Sequence, residues 1–200
     1  FRRAVYKMPT DGTEDIKTSI PLALQRLFTL MQLSPITPST SELLTSFGWG
    51  YADQFMQHDV QEFLRVLVDN LETKMKNTPE KDIFADIFKG TIISKLEVPG
   101  HDFKSEHKED FYDLELIVRG NRSLHNALQQ FSAEEKIDDY MIEDTKVKAQ
   151  AIRKAKFGKL PAILHLLLQR FEYNPGGFGM MKVNDYFEFP DKIDLIEFVD

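Results

Sequence analysis

Two carboxylates, Asp59 and Glu62, stand three residues apart among the amides Gln57 and Gln61, at the head of an apolar-periodic run. Residues i and i+3 of a helix share a side, so the pair would project from neighbouring points flanking the buried stripe. Two acids so placed can grip an arginine-bearing ligand through charge-assisted hydrogen bonds. Taken alone, they read first as favourable charge at a helix N-terminus, contributing ~0.3–1 kcal/mol each. Neighbouring His58 builds no metal site, because neither His-x-x-x-His nor His-Glu-x-x-His occurs. Gly176-Gly177-Phe178-Gly179 likewise lacks the lysine and helix start of a phosphate-binding loop.

The element that must position these acids is a long amphipathic helix over Met56 to Lys76. Met56, Val60, Phe63, Leu64, Leu67, Leu71 and Met75 fall at helical spacing with no Gly or Pro between them. Before it, Pro21 suits the first turn of a second helix whose apolar side runs from Leu22 to Leu33, stopped by Pro35 and Pro38. Ser39 to Glu42 has the form of a capping box, with Gly48 as the stop of a short helix. Trp49 reads as a half-buried aromatic closing the turn into the long helix.

From Ile83 the texture becomes β-forming, with Phe84, Ile87, Phe88, Ile92, Ile93, Leu96 and Val98 around Gly90, and Pro99-Gly100 as a turn. Glu109 to Arg119 alternates, placing Phe111, Leu114, Leu116 and Val118 inward, and Ser123 to Phe131 reads as a capped helix. Lys136 to Lys159 fits an exposed strand pair or a mobile arm. The apolar run from Leu160 to Phe171 fits a strand covered on both faces, Pro175-Gly176-Gly177 a hairpin turn, and Val183 to Pro190 the return strand. Segregated helices and strands indicate an α+β fold.

Gln57-His58-Asp59-Val60-Gln61-Glu62-Phe63-Leu64 resembles the glutamine box of the ubiquitin-specific proteases, where Gln-Gln-Asp-x-x-Glu-Phe-Leu is usual. His58 in place of the second Gln is similar to the herpesvirus-associated subgroup. Leu160-Pro161-Ala162-Ile163-Leu164-His165-Leu166-Leu167-Leu168-Gln169-Arg170-Phe171 resembles the family's Leu-Pro-x-x-Leu-x-x-x-Leu-x-Arg-Phe segment. The resemblance implies a papain-like fold incomplete at both ends, with a helical thumb at 1–82 lacking its first helix, fingers with part of the palm at 83–159, and truncated palm strands at 160–200. Where relatives carry two Cys-x-x-Cys zinc pairs, this chain has Val98, His101, Ile142 and Thr145, so the fingers are expected to bind no zinc.

The family's strand ending near Tyr173 lines the channel for ubiquitin's C-terminal tail. Phe171 and Tyr173 are two apart and share a face, and His165, six before Phe171, is in phase if no bulge intervenes. Arg170 alternates to the other face and reads as a structural ion-pair partner. The candidate ubiquitin-binding residues are therefore Gln57, Asp59, Glu62, His165, Phe171 and Tyr173.

Composition bounds the chemistry. Two hundred residues with 42% hydrophobic content can bury one good core, and a formal charge of −7 argues against a nucleic-acid partner. No apolar run has membrane-spanning length and no signal peptide is visible, while a start at Phe suggests a piece of a larger protein. The absence of cysteine excludes a thiol nucleophile within these residues. The resemblance thus implies the middle of a cysteine-type deubiquitinase domain, cleaving after ubiquitin's terminal glycine, with the nucleophile and base histidine outside this stretch. The alternative is a catalytically inactive ubiquitin-binding scaffold. Partners are ubiquitin and ubiquitinated proteins, no cofactor is called for, and the compartment is the nucleus or cytoplasm. Apolar surface left by the missing flanks is expected to invite self-association.

Overall fold

A computed structural model describes residues 1–49, 56, 59–142, 145–174, 176–177 and 179–200. They form two compact units, Phe1–Phe88 and Lys89–Asp200.

The first unit is helical: α1 (Arg2–Lys7), α2 (Ile20–Leu33), α3 (Ser41–Ser46), α4 (Val60–Met75) and α5 (Ile83–Phe88). Ser19 caps α2 by accepting the Leu22 N–H at 3.4 Å, and Pro21 sits in the first turn, where no intrahelical N–H is needed. The predicted Ser39–Glu42 capping box does not form. Thr40 is the N-cap of α3 and makes no side-chain cap bond, Ser39 Oγ accepts the Ser41 N–H, and Glu42 pairs with Arg26 at 3.1 Å. Gly48 adopts φ +81°, the left-handed conformation that ends a helix at low cost to glycine.

Ile83–Phe88, expected as strand, is helix. Phe84 and Phe88 are four apart, so both reach one buried face. Phe1 meets both rings edge-on, with centroids 5.8 and 5.6 Å away. The chain accordingly divides at Phe88/Lys89, six residues past the expected boundary at 82/83.

The second unit is built on β1 (Gly90–Glu97), β2 (Lys104–Phe111), β3 (Asp113–Ile117), α6 (Leu124–Ser132), β4 (Glu135–Met141), β5 (Lys148–Lys159), β6 (His165–Gln169), β7 (Phe171–Tyr173) and β8 (Met180–Lys182), ending in a 3-10 turn at Ile196–Phe198. One antiparallel sheet has the order β2-β1-β5-β4, β3 pairs in parallel with β6, and β7 pairs with β8. Of the two readings of residues 136–159, the strand pair is the one realised. β6, in the segment 160–200, takes β3 as its partner.

The core of this unit gathers Phe111, Leu114, Leu116, Val118, Leu128, Phe157 and Phe198. Ser123 caps α6 by accepting the Asn126 N–H at 3.2 Å, so Leu124, Ala127 and Leu128 face that core as predicted. Gly90 is required sterically: a Cβ there would lie 2.5 Å from the Phe111 ring and 2.8 Å from the Lys159 carbonyl oxygen. At the far end of the large sheet, Val98, Ile142 and Ala151 form a second apolar cluster flanked by Phe103 and Tyr140. Two of the four positions aligned with the zinc cysteines are therefore buried aliphatic side chains.

Two strand expectations need correction. Every residue of β6 is only half-buried, so this strand is not covered on both faces. The return strand is Met180–Lys182, because the Asn174 N–H bonds the Gly179 carbonyl at 3.2 Å and closes the turn early. Residues 183–190 instead form no strand, but Val183 and Phe187 are buried and Glu188 bridges to Ser123.

Candidate ubiquitin-binding surface

In the helical unit the candidate site lies at the start of α4, four residues later than the periodicity predicted. Asp59 is outside the helix as its N-cap, with Oδ1 accepting the Gln61 N–H at 2.7 Å, and Glu62 follows in the first turn. Met56 and Val60, placed on the buried stripe by spacing, are 65% and 78% exposed because the helix has not begun at Met56 and Val60 is its first residue. Leu67, Leu71 and Met75 are buried as predicted.

The first turn of α4 is fixed by aromatic packing, and its last turn by an ion pair. Phe63 stacks on Phe47 with centroids 4.8 Å apart and planes 24° apart, and Trp49 lies 5.3 Å from Phe47, a packing role. Further along, Lys74 Nζ donates to Glu14 Oε1 at 2.6 Å, while Glu14 Oε2 accepts from the Ser19 cap hydroxyl at 2.7 Å. These two bonds hold the Glu14 carboxyl below its usual value. They also tie α4 to the capped start of α2.

Asp59 and Glu62 are both exposed. One Asp59 oxygen serves the cap, yet a carboxylate has about four lone-pair sites, so a guanidinium can bind the same group. Gln57 lies outside the described residues.

In the second unit, Phe171 and Tyr173 are 61% and 71% exposed on β7, with half-buried Glu172 between them turned the other way. Glu172 accepts from Arg119 Nε, which pins the strand from its opposite side. Tyr173 faces Met180 and Phe171 faces Lys182 across the hairpin, so exposed Met180 extends the aromatic face. Met180 escaped the sequence reading, although the hairpin register would have placed it once the turn was known.

His165 begins β6 opposite Asp113 and is half-buried. Arg170 separates β6 from β7, so the six-residue count from His165 to Phe171 does not run along one strand. Among the described residues Arg170 forms no ion pair, contrary to expectation. Its Nη1 donates to the carbonyls of Val183 and Asp185 at 3.3 and 3.1 Å, and its own carbonyl accepts the Val183 N–H at 2.7 Å. Asp59 and Glu62 thus share one turn, Phe171 and Tyr173 share one strand face, and the two groups belong to different units.

The α+β architecture is that of the papain-like ubiquitin-specific protease fold. Among solved structures it is similar to a chain in the SAGA Ubp8/Sgf11/Sus1/Sgf73 DUB module bound to ubiquitin aldehyde, with TM-score 0.79 and 21% identity, covering 94% of this chain and 45% of that one. The chain belongs to the ubiquitin carboxyl-terminal hydrolase family, whose model matches residues 1–200.

Its relatives include ubiquitin carboxyl-terminal hydrolase 15 of Saccharomyces cerevisiae, 41% identical across 100% of this chain and 16% of that protein. Ubiquitin C-terminal hydrolase 12 of Arabidopsis thaliana is 42% identical across 98% of this chain and 18% of that protein. Ubiquitin carboxyl-terminal hydrolase 7 of Caenorhabditis elegans is 42% identical across 98% and 17%. The chain therefore spans 16% to 18% of the length of these relatives. Among the described residues no helix is long and apolar enough to cross a membrane, and no cluster of three or more His, Cys, Asp or Glu could hold a metal ion.

Proposed function

We propose that these residues form the ubiquitin-holding part of a cysteine-type deubiquitinase of the herpesvirus-associated subgroup, which hydrolyses the isopeptide bond after ubiquitin's terminal glycine. The subgroup rests on His58 following Gln57 in the glutamine box. The observation that carries the reading is the exposed acid pair, Asp59 and Glu62, on a turn anchored by a cap and an aromatic stack. That turn offers carboxylates to the arginines of the tail Leu-Arg-Leu-Arg-Gly-Gly, and the motif adds Gln57 as a further candidate contact. In the second unit, the family resemblance makes His165, Phe171 and Tyr173 candidate ubiquitin contacts.

With no cysteine among the 200 residues, these groups bind and orient rather than cut. The thiolate that attacks the carbonyl, and the histidine that takes and returns its proton, are assigned to other parts of a longer protein. That protein would act on ubiquitinated partners in the nucleus or cytoplasm. The experiment is reaction of the full-length protein with ubiquitin bearing a C-terminal electrophile. Adduct formation through a cysteine is the expected result. Ubiquitin binding without adduct would leave a non-catalytic scaffold, and neither binding nor adduct would overturn the reading.

A further inference from the structure

We propose that Thr37 is a phosphorylation site for a proline-directed serine/threonine kinase. The connection between α2 and α3 reads Ser34-Pro35-Ile36-Thr37-Pro38, two hydroxyl-proline dipeptides three residues apart. Pro35 has an ordinary helix-stopping role directly after the C-cap Ser34. Pro38 has no helix to stop, since α3 begins three residues later.

The two hydroxyls differ. Ser34 is half-buried, and its Oγ accepts the Ile36 N–H at 3.1 Å while donating to the Ile36 carbonyl at 3.0 Å. A phosphate there would break the turn that terminates α2. Thr37 is exposed, and its hydroxyl bonds to nothing among the described residues. Ser39 and Ser41 bond each other at 2.7 Å, buried Ser46 donates to the Leu43 carbonyl, and neither these nor Thr40 precedes a proline.

Backbone and charge agree with the hydroxyl. Proline after Thr37 biases it to extended conformation, and residues 35–39 form no helix or strand. A kinase cleft binds its acceptor as an extended segment, and a cleft offering no acceptor to the next amide selects proline, which lacks an N–H. From Leu27 to Leu64 there is no Lys or Arg, so no cation of this stretch masks the site. In the reaction Thr37 Oγ1 bonds to the γ-phosphorus of a nucleoside triphosphate. The bond to the β,γ-bridging oxygen breaks, the nucleoside diphosphate leaves, and the hydroxyl proton passes to the kinase base. The product places roughly −1.5 to −2 charge between the exposed side chains of Leu33 and Ile36 and the start of α3.

The test is incubation of the full-length protein with a mitogen-activated protein kinase and magnesium ATP, with the phosphate located by tandem mass spectrometry. Incorporation at Thr37 is expected. Thr37→Ala and Pro38→Ala should each cut incorporation at least tenfold, Thr37→Ser should restore it, and Ser34→Ala should leave Thr37 labelled. Far-UV circular dichroism of each variant shows that folding is retained. Phosphate on Ser34 or elsewhere but not on Thr37, undiminished incorporation in Pro38→Ala, or no incorporation at all would overturn the proposal.

Discussion

Asp59 Oδ1 accepts the Gln61 N–H at 2.7 Å, so the carboxylate proposed to meet an arginine is also the group that starts α4. The two roles separate by substitution. Asp59→Ala removes cap and charge and should cost ~0.5–2 kcal/mol of stability, whereas Asp59→Asn keeps a competent cap. Both variants should weaken ubiquitin binding by the full-length protein about tenfold or more, the scale of a lost charge-assisted bond of ~1.5–3 kcal/mol. Titration calorimetry with thermal unfolding reads both quantities. An Asn variant with unchanged Kd would remove the Asp59 charge from the site.

Phe171 and Tyr173 lie mostly in solvent, so truncation to Ala should change stability by less than about 0.5 kcal/mol. If their face contacts ubiquitin, each truncation should still weaken binding by ~1 kcal/mol or more. Stability and affinity falling together would mark the pair as structural.

Gly90→Ala would put a methyl group 2.5 Å from the Phe111 ring beside a fixed carbonyl. Overpacking of this kind should cost ~1–3 kcal/mol in chemical denaturation. Gly12→Ala, with nothing within 4 Å of the added carbon, is the matched control.

Glu14 is held below the ordinary glutamate value of 4.5, first by its bond from Lys74 and then by the Ser19 hydroxyl. Its folded-state pKa is depressed, so the stability it contributes is fully present above that ordinary value and is lost as pH falls through the folded one. Glu14→Gln should therefore lower the Tm at neutral pH, and the gap from the unsubstituted protein should close on acidification below 4.5. A gap that is constant or widens in acid would contradict the linkage.

Sequence exposed those elements whose ends carry their own chemistry. Pro21 announced α2 and Ser123 before Leu124 announced α6; the α6 cap forms as a hydrogen bond, and α2 adds a Ser19 cap absent from the sequence reading. The inner Leu114 and Leu116 of β3 followed from alternation, and Phe111 at the end of β2 is buried as expected. Ile83–Phe88 was misread because Phe and Ile favour strands, while the four-residue spacing of Phe84 and Phe88 decided the outcome. Helix α4 was started too early because Met56 fits the helical period, yet Asp59 three residues on is a stronger local signal than one apolar side chain. The site acids were visible as a motif, but the aromatic stack of Phe47 on Phe63 that holds their turn depends on residues sixteen apart meeting in space.

The parallel pairing of Asp113 with His165 spans about fifty residues, among them α6 and the entire β4–β5 hairpin. Loop-closure entropy penalises such a join until the local pieces have condensed. During synthesis, β3 must wait for a partner made some fifty codons later, so its apolar Leu114 and Leu116 lack that strand's cover while the ribosome is still at work.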